Sequence, residues 1–223
     1  MLVRVQLASP KTQGNLKKMQ VDYIQHCGTD LSVVNAARVS FNKESKIIDD
    51  KDIKLIKYLS DHEHTSPFNH AFLTVRVKAP IFVARQLVKH KFMPWNEVSR
   101  RYVDSNPEFY VPYDWRKRAS NVKQGSSDEA VNRLWGLDPL YKQQLTLYNR
   151  MLKVGVCPEQ ARMVLPQSMY TEWYWSGTLG AFLDMLKLRL KTDTQQETRA
   201  IAEMIADIVK QYWPESYKAV LKS

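Results

Sequence analysis

Cysteine is scarce in this chain, and its two thiols, Cys27 and Cys157, exclude a disulfide framework and a Cys-x-x-Cys metal pair. No window approaches the roughly 18 consecutive apolar residues of a membrane helix, so no membrane association is expected. The opening residues, Met1-Leu2-Val3-Arg4-Val5-Gln6-Leu7, alternate like a strand and lack the charged and apolar regions of a secretory signal. A reduced, cytoplasmic protein is the expectation. Also missing are an internal repeat and any linker that would divide the chain, so 1–223 is read as a single domain. Nor is the positive charge gathered in one block. The 33 basic residues outnumber the 23 acidic ones, leaving a charge of +10 spread from Arg4 to Lys222. A nucleic-acid binder more often carries a stripe or an arm, so anionic small molecules are the favoured partners and no nucleic acid is expected.

What is present is enough for a real core: 44% of 223 residues are apolar or aromatic. Residues 2–8 and 71–78 alternate as strands, and 169–175 reads as a short aromatic one. Asp30 is placed as the N-cap of a helix from Leu31 to Val39, and Asp49-Asp50 precede a second with Ile53, Ile56 and Leu59 on one face. Pro80 opens a helix running to about Lys91, and Pro158 opens another that Pro166 stops. Thr178–Leu190 and Gln195–Tyr212 complete the helical set. Residues 115–127, including a basic 116–123 segment, are the candidate mobile loop. The irregular order of strands and helices favours α+β over a doubly wound sheet.

The densest chemistry lies between Lys89 and Tyr102. Lys89-His90-Lys91 is followed, after seven residues, by Ser99, with Asn96-Glu97 between them and Arg100-Arg101 behind. Cations near a helix C-terminus are favoured by the helix dipole, which explains the two lysines. It does not explain a carboxylate, a hydroxyl and two guanidiniums arriving together on the segment that follows. Such a set can bind hydroxyls and phosphate at once, the arginines through their planar fork.

This pattern resembles the Arg-His-Arg-x7-Ser motif of the flavin-dependent thymidylate synthases. Further segments match in family order: Ala36–Phe41, His64–His70, Lys78–Gln86, Ala161–Pro166 and Leu188-Arg189. The resemblance implies an α+β thymidylate synthase-complementing fold, an antiparallel sheet packed with long helices, forming a homotetramer with sites at subunit interfaces. It implies reductive methylation of dUMP to dTMP, with FAD as cofactor and NADPH and methylenetetrahydrofolate as co-substrates. By carry-over, Ser40, His64, Ser66, Lys89, His90, Lys91 and Glu97 lie on the FAD side. Thr178, Gly180 and Asp184 stand at further flavin positions. Gln86, Leu87, Val88 and Lys89, then Glu97, Val98, Ser99, Arg100 and Arg101, with Arg162 and Arg189, would hold the nucleotide. Arg189 matches the position credited with favouring the ionised uracil N3, and is the catalytic candidate. That role makes chemical sense: C5 is a poor nucleophile until negative charge builds on the ring, and a fixed guanidinium stabilises that charge.

The chain also departs from the family pattern. Both outer motif arginines are lysines, which keep the charge and lose the bidentate fork. Thr178-Leu179-Gly180 replaces an Asn-x-Arg, Asp184 an Asn, and Asp193 a histidine. A lost cation and a gained carboxylate imply a weaker hold on an anionic flavin. The alternative is therefore a nucleotide-binding relative with weakened flavin binding and little turnover. Thr178, at a helix start, could compensate by donating its hydroxyl to phosphate. The cysteine-dependent route to the same product is disfavoured, since neither thiol has the neighbourhood expected of a nucleophile and Cys157-Pro158 opens a helix without a flanking histidine. His62, His64 and His70 are close in sequence, but not at the His-Glu-x-x-His spacing, and no metal is expected. Trp173, Tyr174 and Trp175 read as core or subunit contact.

Overall fold

The structure is a computed structural model, and it describes residues 4–5, 18–103, 105–120, 125–131 and 136–222. Its centre is a five-stranded antiparallel sheet of order β1-β2-β3-β7-β4. The strands are β1 (Arg4–Val5), β2 (Gln20–Cys27), β3 (Phe72–Pro80), β4 (Trp95–Glu97) and β7 (Tyr170–Thr178). Of the strand expected over 2–8, residues 2, 3 and 6–8 lie outside the described residues. β3 and β7 pair along their whole length, from Phe72 opposite Thr178 to Pro80 opposite Tyr170. Period-2 alternation then sorts their side chains. Leu73, Val75, Val77, Trp173 and Trp175 are buried on one face, while Arg76 and Tyr174 face out on the other.

Helices cover the apolar face. The principal one is α7 (Gln196–Tyr212), in which Ile201, Ile205, Ile208 and Val209 are buried together with the small residues Ala202 and Ala206. Glu203, Asp207 and Lys210 form its exposed stripe at near-helical spacing. Around it stand α1 (Asp30–Arg38), α2 (Asp50–Asp61), α3 (Ile81–Leu87), α6 (Leu179–Arg189) and α8 (Pro214–Leu221). The remaining two, α4 (Asp138–Lys153) and α5 (Pro158–Ala161), precede β7. The fold is thus α+β, as its mixed element order implies. No helix among the described residues is long and apolar enough to cross a membrane.

Several local expectations shift. Thr29, not Asp30, caps α1: its hydroxyl accepts from Leu31 N while Ser32 Oγ accepts from Thr29 N. Asp30 is buried and instead caps the far end of the chain, accepting from Glu215 N (2.9 Å), Ser216 N (3.0 Å) and Ser216 Oγ. Strand β2 has no counterpart in the sequence reading, because a bulge between Tyr23 and Gln25 breaks its alternation. Within 115–127, β5 (Arg116–Arg118) pairs with β6 (Ser126–Ala130), and residues 121–124 between them lie outside the described set. Trp173 and Trp175 are core, with Trp95 stacked on Trp173 at 4.3 Å, whereas Tyr174 is 46% exposed.

Candidate active site

The Lys89–Arg101 segment takes its shape from what precedes and follows it. Pro80, in extended backbone, ends β3 and opens α3, which stops at Leu87 with Val88 as C-cap. The helix expected to reach Lys91 is therefore one turn shorter. Its last turn tightens, His90 N bonding to Leu87 O, and Phe92 adopts a left-handed φ of 61° to send the chain into β4. Trp95–Glu97, in the segment that follows the helix, is an edge strand against Trp173–Trp175. Trp95 and its stacked partner draw it onto the sheet.

The best-defined constellation joins α3, the motif and α6. Arg189 Nε donates to His90 Nε2 (3.0 Å), and Arg189 Nη2 donates to the Gln86 carbonyl (2.9 Å). Burial, and after it the charge of Arg189, pushes the His90 pKa down to about 4. The imidazole is thus neutral at pH 7 and can accept the arginine's proton, which fixes its remaining hydrogen on Nδ1. Burial likewise lowers the Arg189 pKa, and the guanidinium stays charged. The Gln86 side chain is held in turn: Nε2 donates to Gln195 Oε1 (2.5 Å), and Oε1 accepts from Thr198 Oγ1 (3.1 Å). Leu87 is fully buried, so only its backbone can meet a ligand.

Two cavities flank the sheet at opposite ends of β7. The first, about 720 Å³, is lined by the end of α2, the 3-10 turn Ser66–His70, His90–Phe92 and the start of α6. It gathers His64, His90, Lys91, Thr178, Gly180 and Asp184 from the flavin-side set, and adds Asn69 and Lys187, which the sequence reading did not name. Thr178 Oγ1 accepts from Ala181 N (3.2 Å) and donates to Asn69 Oδ1 (2.7 Å), so its one proton is committed inside the protein. A Cβ on Gly180 would stand 2.5 Å from Asn69 Oδ1, so the asparagine now fills the space a side chain at 180 would need. Ser40 and Ser66 are exposed and lie outside this lining.

The second cavity, about 700 Å³, lies at the Tyr170 end and holds Glu97, Val98, Arg100 and Arg162 from the nucleotide-side set, with Arg85 besides. Glu97 is oriented by Thr171 Oγ1 (2.7 Å) and Trp95 Nε1 (3.1 Å), both donating to its carboxylate. Arg100 turns inward to the Ser105 carbonyl. Ser99 Oγ accepts from Arg101 N and Nε (both 3.3 Å), and the Arg101 guanidinium lies 5.1 Å from the Tyr102 ring centre. Ser99 and Arg101 are outside the cavity lining. Along β7, Trp173–Gly177 lie between Glu172, which lines one cavity, and Thr178, which lines the other, a span of roughly 20 Å at about 3.3 Å per residue. Within this chain the two halves of the expected set therefore lie apart.

Lys89 and Val88 are exposed on the turn after α3. Among the described residues, no group of three or more His, Cys, Asp or Glu could hold a metal ion. Asn69, Gln195 and Thr198 were missed by sequence reading. Asn69 was within reach, because it falls in the matched His64–His70 segment; the other two carry no local signal.

Comparison with known proteins bears on this geometry. A family model described as thymidylate synthase complementing protein matches residues 22–215. A flavin-dependent thymidylate synthase of Thermus thermophilus is 40% identical over 215 residues, 96% of this chain and 79% of the relative. One of Thermotoga neapolitana is 38% identical over 207 residues, 93% of each chain. Among solved structures, the UMP/dUMP methylase PolB of Streptomyces cacaoi bound with 5-Br dUMP is similar, with a TM-score of 0.81 and 30% identity over 90% of this chain and 94% of that one.

Proposed function

The chain belongs to the thymidylate synthase complementing protein family, and we propose from that premise that it methylates C5 of dUMP to give dTMP. In this reading methylenetetrahydrofolate provides the carbon and NADPH the reducing equivalents. FAD, when bound, supplies the hydride, which no side chain can. The observation that carries the reading is the tethered Arg189. With one N–H on His90 and another on the Gln86 carbonyl, its remaining donors are aimed as a unit. Such a fixed cation stabilises negative charge on a uracil ring without reorganising during the reaction. A neutral His90 is essential to this: an imidazolium could not accept from Arg189 and would repel it.

The first cavity suits an anionic dinucleotide such as FAD. Lys91 and Lys187 bring positive charge, and the N-terminus of the eleven-residue α6 adds its dipole. The second cavity suits the nucleotide phosphate, with Arg85 and Arg162 as its cations and Glu97 as an acceptor for hydroxyls. Since the cavities stand far apart within one subunit, the reading includes a homotetramer in which one copy's Glu97–Arg162 side completes another's Arg189 side. Exposed apolar side chains next to both cavities, Phe92 at 88% and Met163 at 79%, support such covering. Light scattering should return a four-subunit mass.

Purified protein supplied with FAD, NADPH, methylenetetrahydrofolate and dUMP should turn yellow, oxidise NADPH and form dTMP. Protein that stays colourless with added FAD and converts no nucleotide sinks the proposal. One observation favours a second reading, a nucleotide-binding relative with little turnover. The Thr178 hydroxyl is committed to Asn69, and Asp184 puts a carboxylate in the flavin-side cavity. Tight dUMP binding without NADPH oxidation would select it.

A further inference from the structure

The first turn of α7 does more than begin a core helix. Gln195, its N-cap, and the fully buried Thr198 together engage both polar atoms of the Gln86 side chain. Gln86 in turn offers its carbonyl to Arg189 Nη2, so one residue links α3, α6 and α7. A primary amide has two N–H groups and two acceptor lone pairs. With one of each taken, Gln86 retains one donor and one acceptor in a plane that α7 has already set.

That turn is itself pinned. Glu197, 3% exposed, accepts from Arg116 Nη2 (2.8 Å) and Tyr110 Oη (3.0 Å), while Gln196 Oε1 accepts from Arg116 Nη1 (2.6 Å). The platform carrying Gln195 and Thr198 is thus fastened on its other side to β5. A long amide side chain left free would have to be ordered at each binding event, which weakens affinity. Here folding has ordered it beforehand.

We propose that Gln195 and Thr198 are positioning residues for nucleotide recognition, fixing the Gln86 amide so that its free donor and acceptor meet the bound nucleotide. This rests on the reading that the site takes dUMP. Neither residue touches the ligand; both act through Gln86.

Three variants test it, with dUMP affinity measured by calorimetry on the FAD-loaded protein and thermal unfolding as a control. Thr198→Val keeps the shape and removes the hydroxyl; Gln195→Met keeps the length and removes the acceptor. Each should weaken dUMP binding about tenfold, the equivalent of one hydrogen bond's worth of positioning. Thr198→Ser restores the hydroxyl and should bind within about twofold of the parent. FAD affinity should be the same in all three, a split that a general loss of structure would not give. If Thr198→Val does not fold, Gln195→Met, at a partly buried position, carries the test alone. Parental dUMP affinity in Thr198→Val and Gln195→Met overturns the proposal and leaves the function standing. A parent protein that binds no dUMP overturns both.

Discussion

The Gln86–His90–Arg189 junction and the Glu97–Arg101 segment are both polar, yet they are held very differently. In the junction, each polar side chain has a partner on another helix: Gln86 on α7, His90 on α6, Arg189 on α3. In the second segment only Glu97 is braced by the sheet, through Thr171. Ser99 and Arg101 mainly hold each other, and Arg101 lies exposed against Tyr102. Groups that must stabilise charge during a reaction gain from being fixed in advance. Groups that grip a phosphate can order when it arrives, at some cost in affinity. One half of the proposed site is therefore built by the fold, and in the proposed assembly the other is completed by ligand and neighbouring subunit.

Removing the centre of the fixed half should have the largest effect. Arg189→Ala is expected to lower the methylation rate by about 10²–10³, with melting temperature and FAD titration nearly unchanged; a rate close to the parent's would end the contrast. Next comes the brace beneath α7. Glu197→Ala strands Arg116 and Tyr110 beside a buried helix start, and should cost about 3 kcal/mol in denaturant unfolding. A loss well under about 1 kcal/mol would mean that the pair behaves as a surface one. Smaller again is the effect in the loose half. Arg162→Ala should weaken dUMP binding about tenfold and leave kcat close to the parent value, as expected for a phosphate contact made equally in ground and transition states.

Acid sensitivity at the junction comes last, because solvent beside the half-buried ring screens it. The pKa of His90 falls from 6.5 to about 4 in the folded protein, first by burial and then by the Arg189 charge. Above about 6.5 the ring is neutral in both folded and unfolded chains, and its contribution is complete. As pH drops from there to about 4, only the unfolded chain takes up the proton, so stability declines. Below about 4 both forms are protonated and the decline stops. Unfolding curves between pH 7.5 and 4 should show this slope, and His90→Asn should flatten it. An identical slope in the variant would assign the acid loss to carboxylates such as Glu197, which Arg116 holds below the usual carboxylate range despite burial.

Much of the architecture could be read from local pattern. β3 and β7 alternate visibly, and α2 and α7 keep helical spacing, because those signals lie within a few residues of one another. β2 was hidden because its bulge at Ile24 destroys the period that marks a strand. The end of α3 was misplaced because nothing in Lys89-His90-Lys91 opposes a helix. The reason it stops is Phe92's left-handed turn into a strand that pairs with residues near 175. The site divides likewise. His90 and Glu97 stand in a motif of recognisable spacing, and Arg189 in a separate segment that also matches the family. Gln195 and Thr198 bond Gln86 across 109 and 112 positions, a relation no local pattern carries. Thr178 shows the converse: its chemistry was legible, but the neighbour that takes its proton was not.

The buried carboxylate of Asp30 has a consequence for how the molecule is made. Its backbone donors, Glu215 N and Ser216 N, lie 185 and 186 positions later in the chain. At about 5–20 residues per second of synthesis, they emerge on the order of 10–40 s after Asp30 does. Until then α1 leaves the ribosome with an acid group that has no place in a dry interior, and its seat against α8 does not yet exist. Burial of the Asp30 carboxylate with its partners therefore waits on α8, and α1 reaches its final seat only once residues 215 and 216 are free to fold.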